Sequence, residues 1–92
     1  MEALSGDEVN ARLSKLSGWQ IESGQLVRTF HFKTFRDSLA FVNKVGELAE
    51  HAGHHPDIDI RYNRVTLGLV THDAGGITPS DAQMATRINH EL

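Results

Sequence analysis

Three histidines fall within five residues of the stretch EHAGHHP, which covers residues 50–56. They are His51, His54 and His55. An imidazole has an unperturbed pKa of about 6.5, so both of its protonation states are available near neutral pH. Histidines that lie together also repel each other when both are charged, which favours one protonated donor beside one neutral acceptor. The stretch therefore indicates general acid and base catalysis.

A fourth histidine is expected to join this group through a β-hairpin. The segments DIDIRY and VTLGLVTH alternate apolar and polar residues, which is typical of paired strands. A two-residue turn at Asn63 and Arg64 predicts pairs that place the large apolar residues on one face: Tyr62 with Val65, Ile60 with Leu67, and Ile58 with Leu69. The same register, continued, sets His55 opposite His72, with β-carbons about 5 Å apart, and His54 beside them.

The first three histidines could instead bind zinc. His51, His54 and His55 have the i, i+3, i+4 spacing of ligands on one face of a helix. Gly53 and Pro56 argue against this alternative, because they end the helix that would align the rings. The stretch also lacks the H-E-x-x-H order of zinc proteases. We therefore expect neither a metal nor another cofactor at this site.

Other candidate residues have a structural interpretation beside the functional one. Asp81 is expected to cap a helix, and its carboxylate could also orient an imidazole. Glu50 is expected on a solvated helix face, where it could tune a neighbouring proton site. Trp19 is expected in the core, with a platform for substrate as the alternative. The remaining histidines are expected at the surface, together with the first of the cluster: His31, His90 and His51.

Capping residues mark three helices. Ser5 begins a capping box ahead of a helix over residues 6–16. Thr34 caps a second helix, which ends where Gly53 can adopt the left-handed conformation. Thr78 caps a third helix that runs to the C-terminus, and a proline occupies its first position.

The second helix also carries a long apolar stripe. Its members follow the helical period: Phe35, Leu39, Val42, Val45, Ala49 and Ala52. Phe41 and Leu48 lie beside the stripe and widen it. This width suggests a surface for a partner protein or for a second copy of the chain.

The strands complete the fold prediction. Residues 19–22 and 26–33 form a first hairpin, and DIDIRY with VTLGLVTH forms the second. The element order is α-β-β-α-β-β-α. This order predicts an α+β fold with a single four-stranded antiparallel sheet and three helices packed on one face.

The composition is typical of a globular chain with one core, so we expect a single domain over residues 1–92. The absence of cysteine suits a reducing compartment, and we expect a cytoplasmic protein. A net charge of −3 offers no basic footprint for direct nucleic-acid binding. No apolar run reaches the roughly 18 residues that span a bilayer, so no membrane association is expected.

The histidine pattern resembles the signature of the pterin-4a-carbinolamine dehydratases. The matching positions lie between residues 50 and 81: Glu50, His54, His55, Pro56, Tyr62, His72 and Asp81. The resemblance implies a lyase without a cofactor, which removes water from a 4a-hydroxytetrahydropterin and gives the quinonoid dihydropterin. The resemblance implies the recycling of a tetrahydrobiopterin-type cofactor, with another pterin in a different pathway as the alternative. The resemblance also implies assembly into a homodimer or homotetramer.

The resemblance further suggests roles for individual residues. Catalysis is assigned to His54, His55, His72 and Asp81. Our hypothesis gives the proton transfers to His54 and His72, while His55 binds the pterin or acts as an alternate base. Asp81 would fix a tautomer. The expected substrate-binding set is His54, His55, Pro56, His72 and Trp19. Some members of the family are also dimerisation partners of a transcription factor, so an interaction module is the alternative function.

Overall fold

The computed structural model of the chain describes residues 2–92. Its helices are α1 (Gly6–Leu13), α2 (Phe35–Ala52) and α3 (Pro79–Glu91), and its strands are β1 (Gln20–Glu22), β2 (Gln25–His31), β3 (Asp57–Arg61) and β4 (Arg64–Leu69). A 3-10 turn, His72–Ala74, separates β4 from α3. The strands form one antiparallel sheet in the order β1-β2-β4-β3, and the helices pack on one of its faces. The predicted α+β fold and the order of its elements are confirmed.

Local side-chain chemistry sets the helix ends. In the capping box of α1, the Ser5 hydroxyl accepts from the backbone N–H of Glu8, and the Glu8 carboxylate accepts from the backbone N–H of Ser5. The helix ends at Leu13, three residues before the predicted end. Gly18, with a φ of 86°, lies beyond the helix in the following turn. A β-carbon at this glycine would lie 2.5 Å from Nε of Arg28.

The second hairpin turns one residue earlier than expected. Tyr62 and Asn63 form its turn, so Ile60 pairs with Val65 instead of Leu67, and every predicted pair is wrong by two positions. The reason is the backbone of Tyr62, whose φ of 50° is unusual for a bulky residue. Tyr62 is consequently exposed instead of facing the core. A shift of two residues preserves the alternation, so Ile58 and Ile60 still lie on the same face of the hairpin as Val65 and Leu67.

The buried face of α2 also differs from the prediction. Its buried residues are Ser38, Phe41, Val45, Leu48 and Ala49. Phe35 and Leu39, two members of the predicted stripe, are 44% and 43% exposed. The helix is rotated about its axis relative to the prediction. As a result, the ring centroid of Phe41 lies 4.6 Å from that of Phe30 and 5.1 Å from that of Phe32, both on the sheet side of the core. The proposed partner surface at Phe41 and Leu48 is therefore wrong, because these side chains lie in the protein's own core.

No helix within residues 2–92 combines the length and the apolar character that a membrane crossing requires.

The centre of the core lies against β4, where Val65, Leu67 and Leu69 are completely buried. This strand occupies an interior position in the sheet and continues directly into the loop that carries His72. The rigid core thus anchors one side of the histidine region.

Candidate active site

His54 occupies its position because α2 ends abruptly. Gly53 adopts the left-handed conformation, with φ of 65°, and donates its backbone N–H to Ala49. The N–H of His54 reaches the same carbonyl at 3.2 Å. Both bonds end on the Ala49 carbonyl in the last turn of α2, and the left-handed Gly53 directs the chain away from the helix axis. Pro56 follows, half-buried, immediately before β3. The imidazole of His54 therefore leaves the end of α2 toward the start of α3.

The imidazole of His54 forms a hydrogen bond with the carboxylate of Asp81. Its side chain is completely buried, and its Oδ1 lies 2.5 Å from Nε2 of His54. Oδ2 accepts the backbone N–H of Thr78 at 2.8 Å and the hydroxyl of Thr71 at 2.9 Å. The Thr78 hydroxyl lies 3.3 Å from the same oxygen. Asp81 therefore has both of the predicted roles, since its carboxylate caps α3 and also orients an imidazole.

The hydrogen bonds determine which ring nitrogen of His54 is available. An ionised carboxylate is only an acceptor, so Nε2 must carry the hydrogen that it shares with Asp81. The neutral ring then has its lone pair on Nδ1. This atom makes no hydrogen bond within residues 2–92. The side chain of His54 retains 19% of its exposure, so a small molecule can reach the ring. The pair is suited to act as a general base.

A cavity of about 250 Å³ adjoins this imidazole. His54 lines it together with Gly53, Ser80, Gln83 and Met84. The cavity lies where the end of α2 meets the first turns of α3. It offers both polar and apolar contacts directly beside the histidine that is paired with the buried carboxylate.

His55 lies in a different environment. Its Nε2 forms a short contact with Oε2 of Glu50, and their side chains are 62% and 77% exposed. Glu50 lies in the last turn of α2, two residues before its end, so the carboxylate that was predicted to be solvated does contact an imidazole. His55 thus has a carboxylate partner of its own at the surface, whereas the partner of His54 is buried.

His72 begins the 3-10 turn after β4, and its side chain is exposed. The predicted pairing of His55 with His72 is wrong, because the hairpin register is shifted. Continued past the strands, the observed register sets Thr71 across from His54. Sequence reasoning missed Thr71 as part of the site. The correct turn at Tyr62 would have identified it.

Trp19 does not reach this region. It is 4% exposed, and its indole N–H donates to Oδ1 of Asn89 at 2.9 Å. Asn89 lies eight residues after Asp81 on α3, which is about 12 Å along the helix. The ring packs edge to face on Phe30, with centroids 6.4 Å apart. Trp19 is a core residue that contacts the C-terminal end of α3, away from Asp81 in its first turn. We therefore leave Trp19 out of the site that we propose.

The structure gives the remaining candidates separate surroundings. His31, His51 and His90 are exposed, as expected. Within residues 2–92, no group of three or more His, Asp or Glu side chains has an arrangement that could hold a metal ion. In particular, the rings of His54 and His55 contact different carboxylates. The chemistry that the arrangement offers is proton transfer.

The chain matches one family throughout its length. The family model described as pterin 4 alpha carbinolamine dehydratase matches residues 2–91. A relative from Acidobacterium capsulatum is 52% identical over 88 residues, which cover 96% of each chain. A relative from Mycolicibacterium smegmatis is 52% identical over 92 residues, which cover 100% of this chain and 98% of the relative. Both relatives bear the name of this family.

Solved structures show the same architecture. A transcriptional coactivator/pterin dehydratase from Brucella melitensis has a TM-score of 0.89 and 36% identity, with 97% of both chains covered. A pterin dehydratase-like protein, described as a RuBisCO assembly factor in the alpha-carboxysome, has a TM-score of 0.62. It is 23% identical and covers 78% of this chain and 83% of its own, so this likeness concerns the fold alone.

The sheet, its three covering helices and the end-to-end sequence matches define the class as small α+β proteins with the pterin dehydratase fold. The chain belongs to the pterin 4 alpha carbinolamine dehydratase family. The resemblance seen in the histidine signature is thereby confirmed.

Proposed function

We propose that this protein dehydrates a 4a-hydroxytetrahydropterin to the quinonoid dihydropterin. The observation that carries the proposal is the pair formed by His54 and the buried Asp81, which leaves Nδ1 of His54 free beside a cavity. Membership of the family supplies the substrate class. The reaction is a proton-dependent elimination, and an imidazole with one committed and one free nitrogen suits it.

The elimination requires two proton transfers. The bond between C4a and the hydroxyl oxygen breaks, and the leaving oxygen takes up a proton to become water. N5–H loses a proton, and the nitrogen electrons form the new double bond to C4a. No electrons are gained or lost overall, so the chemistry needs no redox cofactor. A base at N5 and an acid at the leaving oxygen are sufficient, each contributing about 10²- to 10⁴-fold.

In this proposal, His54 is the base and accepts the N5 proton at Nδ1. Asp81 holds the tautomer that makes this possible. His72 supplies the proton to the leaving oxygen from the exposed loop after β4. His55 binds the pterin or acts as the alternate base, supported by Glu50, and Pro56 shapes the short connection to β3. The contacts of His54 and His55 with their carboxylates and the exposure of His72 support these proposed roles.

A stopped-flow assay tests the proposed function. The 4a-carbinolamine is generated in the syringe, and its conversion to the quinonoid product is followed by absorbance with and without the purified protein. The protein should accelerate dehydration well above the rate in buffer, and dialysis against a chelator should leave this acceleration intact. A rate equal to that in buffer would refute the proposal.

Other expectations accompany the proposal. We propose that the protein works in the cytoplasm, in the recycling of a tetrahydrobiopterin-type cofactor, and without direct binding to nucleic acid. The homodimer or homotetramer also stays a prediction. Its best candidate interface consists of exposed apolar side chains: Phe35, Leu39 and Ile58. The alternative function, an interaction module, draws no support from Phe41 and Leu48, because these side chains are buried in the core. Its support is the solved relative described as a transcriptional coactivator/pterin dehydratase.

A further inference from the structure

A second cavity lies outside the histidine region, between α1 and α3. Its volume is about 550 Å³, within the range of about 300–1,000 Å³ that is usual for small-molecule sites. Leu16 and Ala82 contribute apolar surface. Three cations line it as well: Arg12, Lys15 and Arg87. We call this cavity the cationic cleft.

The cationic cleft contrasts with the charge of the whole chain. The chain has a net charge of −3, yet no described residue that lines the cleft is acidic. Two of its cations have acidic neighbours at the rim: Arg87 binds Glu91 at 2.8 and 3.4 Å, and Arg12 lies near Glu8. Lys15 makes no salt bridge within residues 2–92. The cleft therefore has one uncommitted cation and two that are only partly neutralised.

The cationic cleft also adjoins the cavity beside His54. Gln83 and Arg87 line both of them. These residues are four positions apart on α3, so their side chains form one row along the helix surface. A molecule whose ring lies at His54 could extend across this row and place a substituent in the cationic cleft.

We propose that the cationic cleft binds a phosphate monoester on the side chain of the pterin, so that the site accepts phosphorylated pterins as well as unphosphorylated pterins of the tetrahydrobiopterin type and binds the phosphorylated ones more tightly. This inference rests on the proposed dehydration at His54. A phosphate monoester carries about 1.5 to 2 negative charges at neutral pH, which suits a cleft where several cations meet. An uncharged hydroxyalkyl side chain would gain nothing from these cations.

Calorimetric titration of the full chain tests the inference without relying on turnover. The two probes are a 7,8-dihydropterin with a hydroxyalkyl chain at C6 and the phosphate monoester of the same compound. At low salt the phosphate ester should bind about tenfold more tightly, since several exposed ion pairs each contribute modestly. The preference should shrink as salt is added, because exposed charges are screened.

Three variants with opposite expectations sharpen the test. Lys15→Gln should reduce the preference for the phosphate ester about fivefold, the upper range for one exposed ion pair. Glu91→Gln should increase the preference, because it removes the carboxylate that competes for Arg87. Lys33→Gln is the matched control, since this exposed lysine follows β2 and does not line the cleft. Thermal denaturation checks that all three variants fold.

Equal affinity for the two probes, or a preference that survives Lys15→Gln, would overturn the inference. The same two side chains are then compared on the 4a-carbinolamines in the dehydration assay. If neither carbinolamine is dehydrated, the proposed function fails, while the titration still decides whether the cationic cleft recognises phosphate.

Discussion

Replacing Asp81 with Asn should reverse the tautomer of His54 while α3 stays capped. The amide oxygen can keep the place of Oδ2, which accepts from the backbone N–H of Thr78 and the hydroxyl of Thr71. The amide NH₂ then faces Nε2 of His54 in place of Oδ1. Because this NH₂ is a donor, Nε2 must provide a lone pair and the ring hydrogen moves to Nδ1. The atom that we propose as the base then has no free lone pair.

The expected magnitude follows from these contacts. Losing a general base should lower kcat/KM by about 10²- to 10⁴-fold, which is the usual contribution of such a group. Exchanging a charge-assisted bond in the core for a neutral one should also cost about 1–2 kcal/mol of stability. For a chain of this size, each kcal/mol lowers Tm by roughly 4–8 °C. Asp81→Asn should therefore remain folded at 25 °C and lose most of its activity.

Thr71→Val provides the matched control. It removes a hydroxyl that donates to the same carboxylate, but it leaves Oδ1 in contact with His54. The loss of one buried hydrogen bond should cost about 1 kcal/mol. Stability should fall in both variants, whereas only Asp81→Asn should lose the base. Thr71→Val should thus retain most of the wild-type rate.

Three measurements separate the two effects. Stopped-flow absorbance gives kcat/KM, circular dichroism gives Tm, and ¹⁵N NMR of the imidazoles reports the tautomer of His54. Wild-type activity in Asp81→Asn would refute the reasoning. So would an equal loss of rate in Thr71→Val, since the carboxylate would then act only through stability.

Four further predictions test separate parts of the molecule. His72→Ala should slow dehydration by about 10²-fold or more and leave Tm nearly unchanged, because the side chain is exposed; an undiminished rate would remove His72 from the mechanism. Glu50→Gln should change stability by less than about 1 kcal/mol, since its pair with His55 is exposed, and a denaturant titration that gave a larger loss would contradict this. Hydrogen bonds with Ser5 lower the pKa of Glu8 in the folded protein from its ordinary 4.5. These bonds therefore stabilise the fold fully above pH 4.5, and this contribution is lost as the pH falls through the lowered pKa of the folded state. Glu8→Gln should therefore make Tm fall less steeply as the pH is lowered. An unchanged slope of Tm against pH would argue that the capping box does not cause the loss of stability in acid. Leu39→Glu should reduce any self-association seen by light scattering while circular dichroism shows that the chain stays folded, because this side chain is 43% exposed in the single chain; an unchanged assembly would exclude that face of α2.

The features that could be predicted from the sequence are those fixed by neighbours in the chain. Ser5, Thr34 and Thr78 begin the three helices as expected, and Gly53 ends α2 in the left-handed conformation. Capping depends on hydrogen bonds within three or four residues, so the necessary information is local. The capping position of Asp81 was predicted for the same reason. The fold class followed because the apolar alternation and the helix caps agree.

The features that could not be predicted depend on contacts distant in sequence. The face of α2 that is buried is set by the rings of Phe30 and Phe32, which pack against Phe41, while Phe35 stays exposed. Apolar periodicity alone allowed either face. The hairpin register depended on a left-handed Tyr62, and the error displaced Thr71 from the predicted site. The candidate histidines could be identified from the sequence by their spacing. Only the tertiary structure shows that His54 pairs with a buried carboxylate whereas His55 pairs with an exposed one.

Chemical rescue measures the role of His54 most directly. In His54→Ala, carbinolamine dehydration should fall by about 10²- to 10⁴-fold and then rise with added imidazole, because the small base can occupy the vacated position beside the cavity. Formate, which has no imidazole nitrogen and is a weaker base, should restore less. A variant that dehydrates the carbinolamine at the wild-type rate without imidazole would contradict the assignment of Nδ1 as the base.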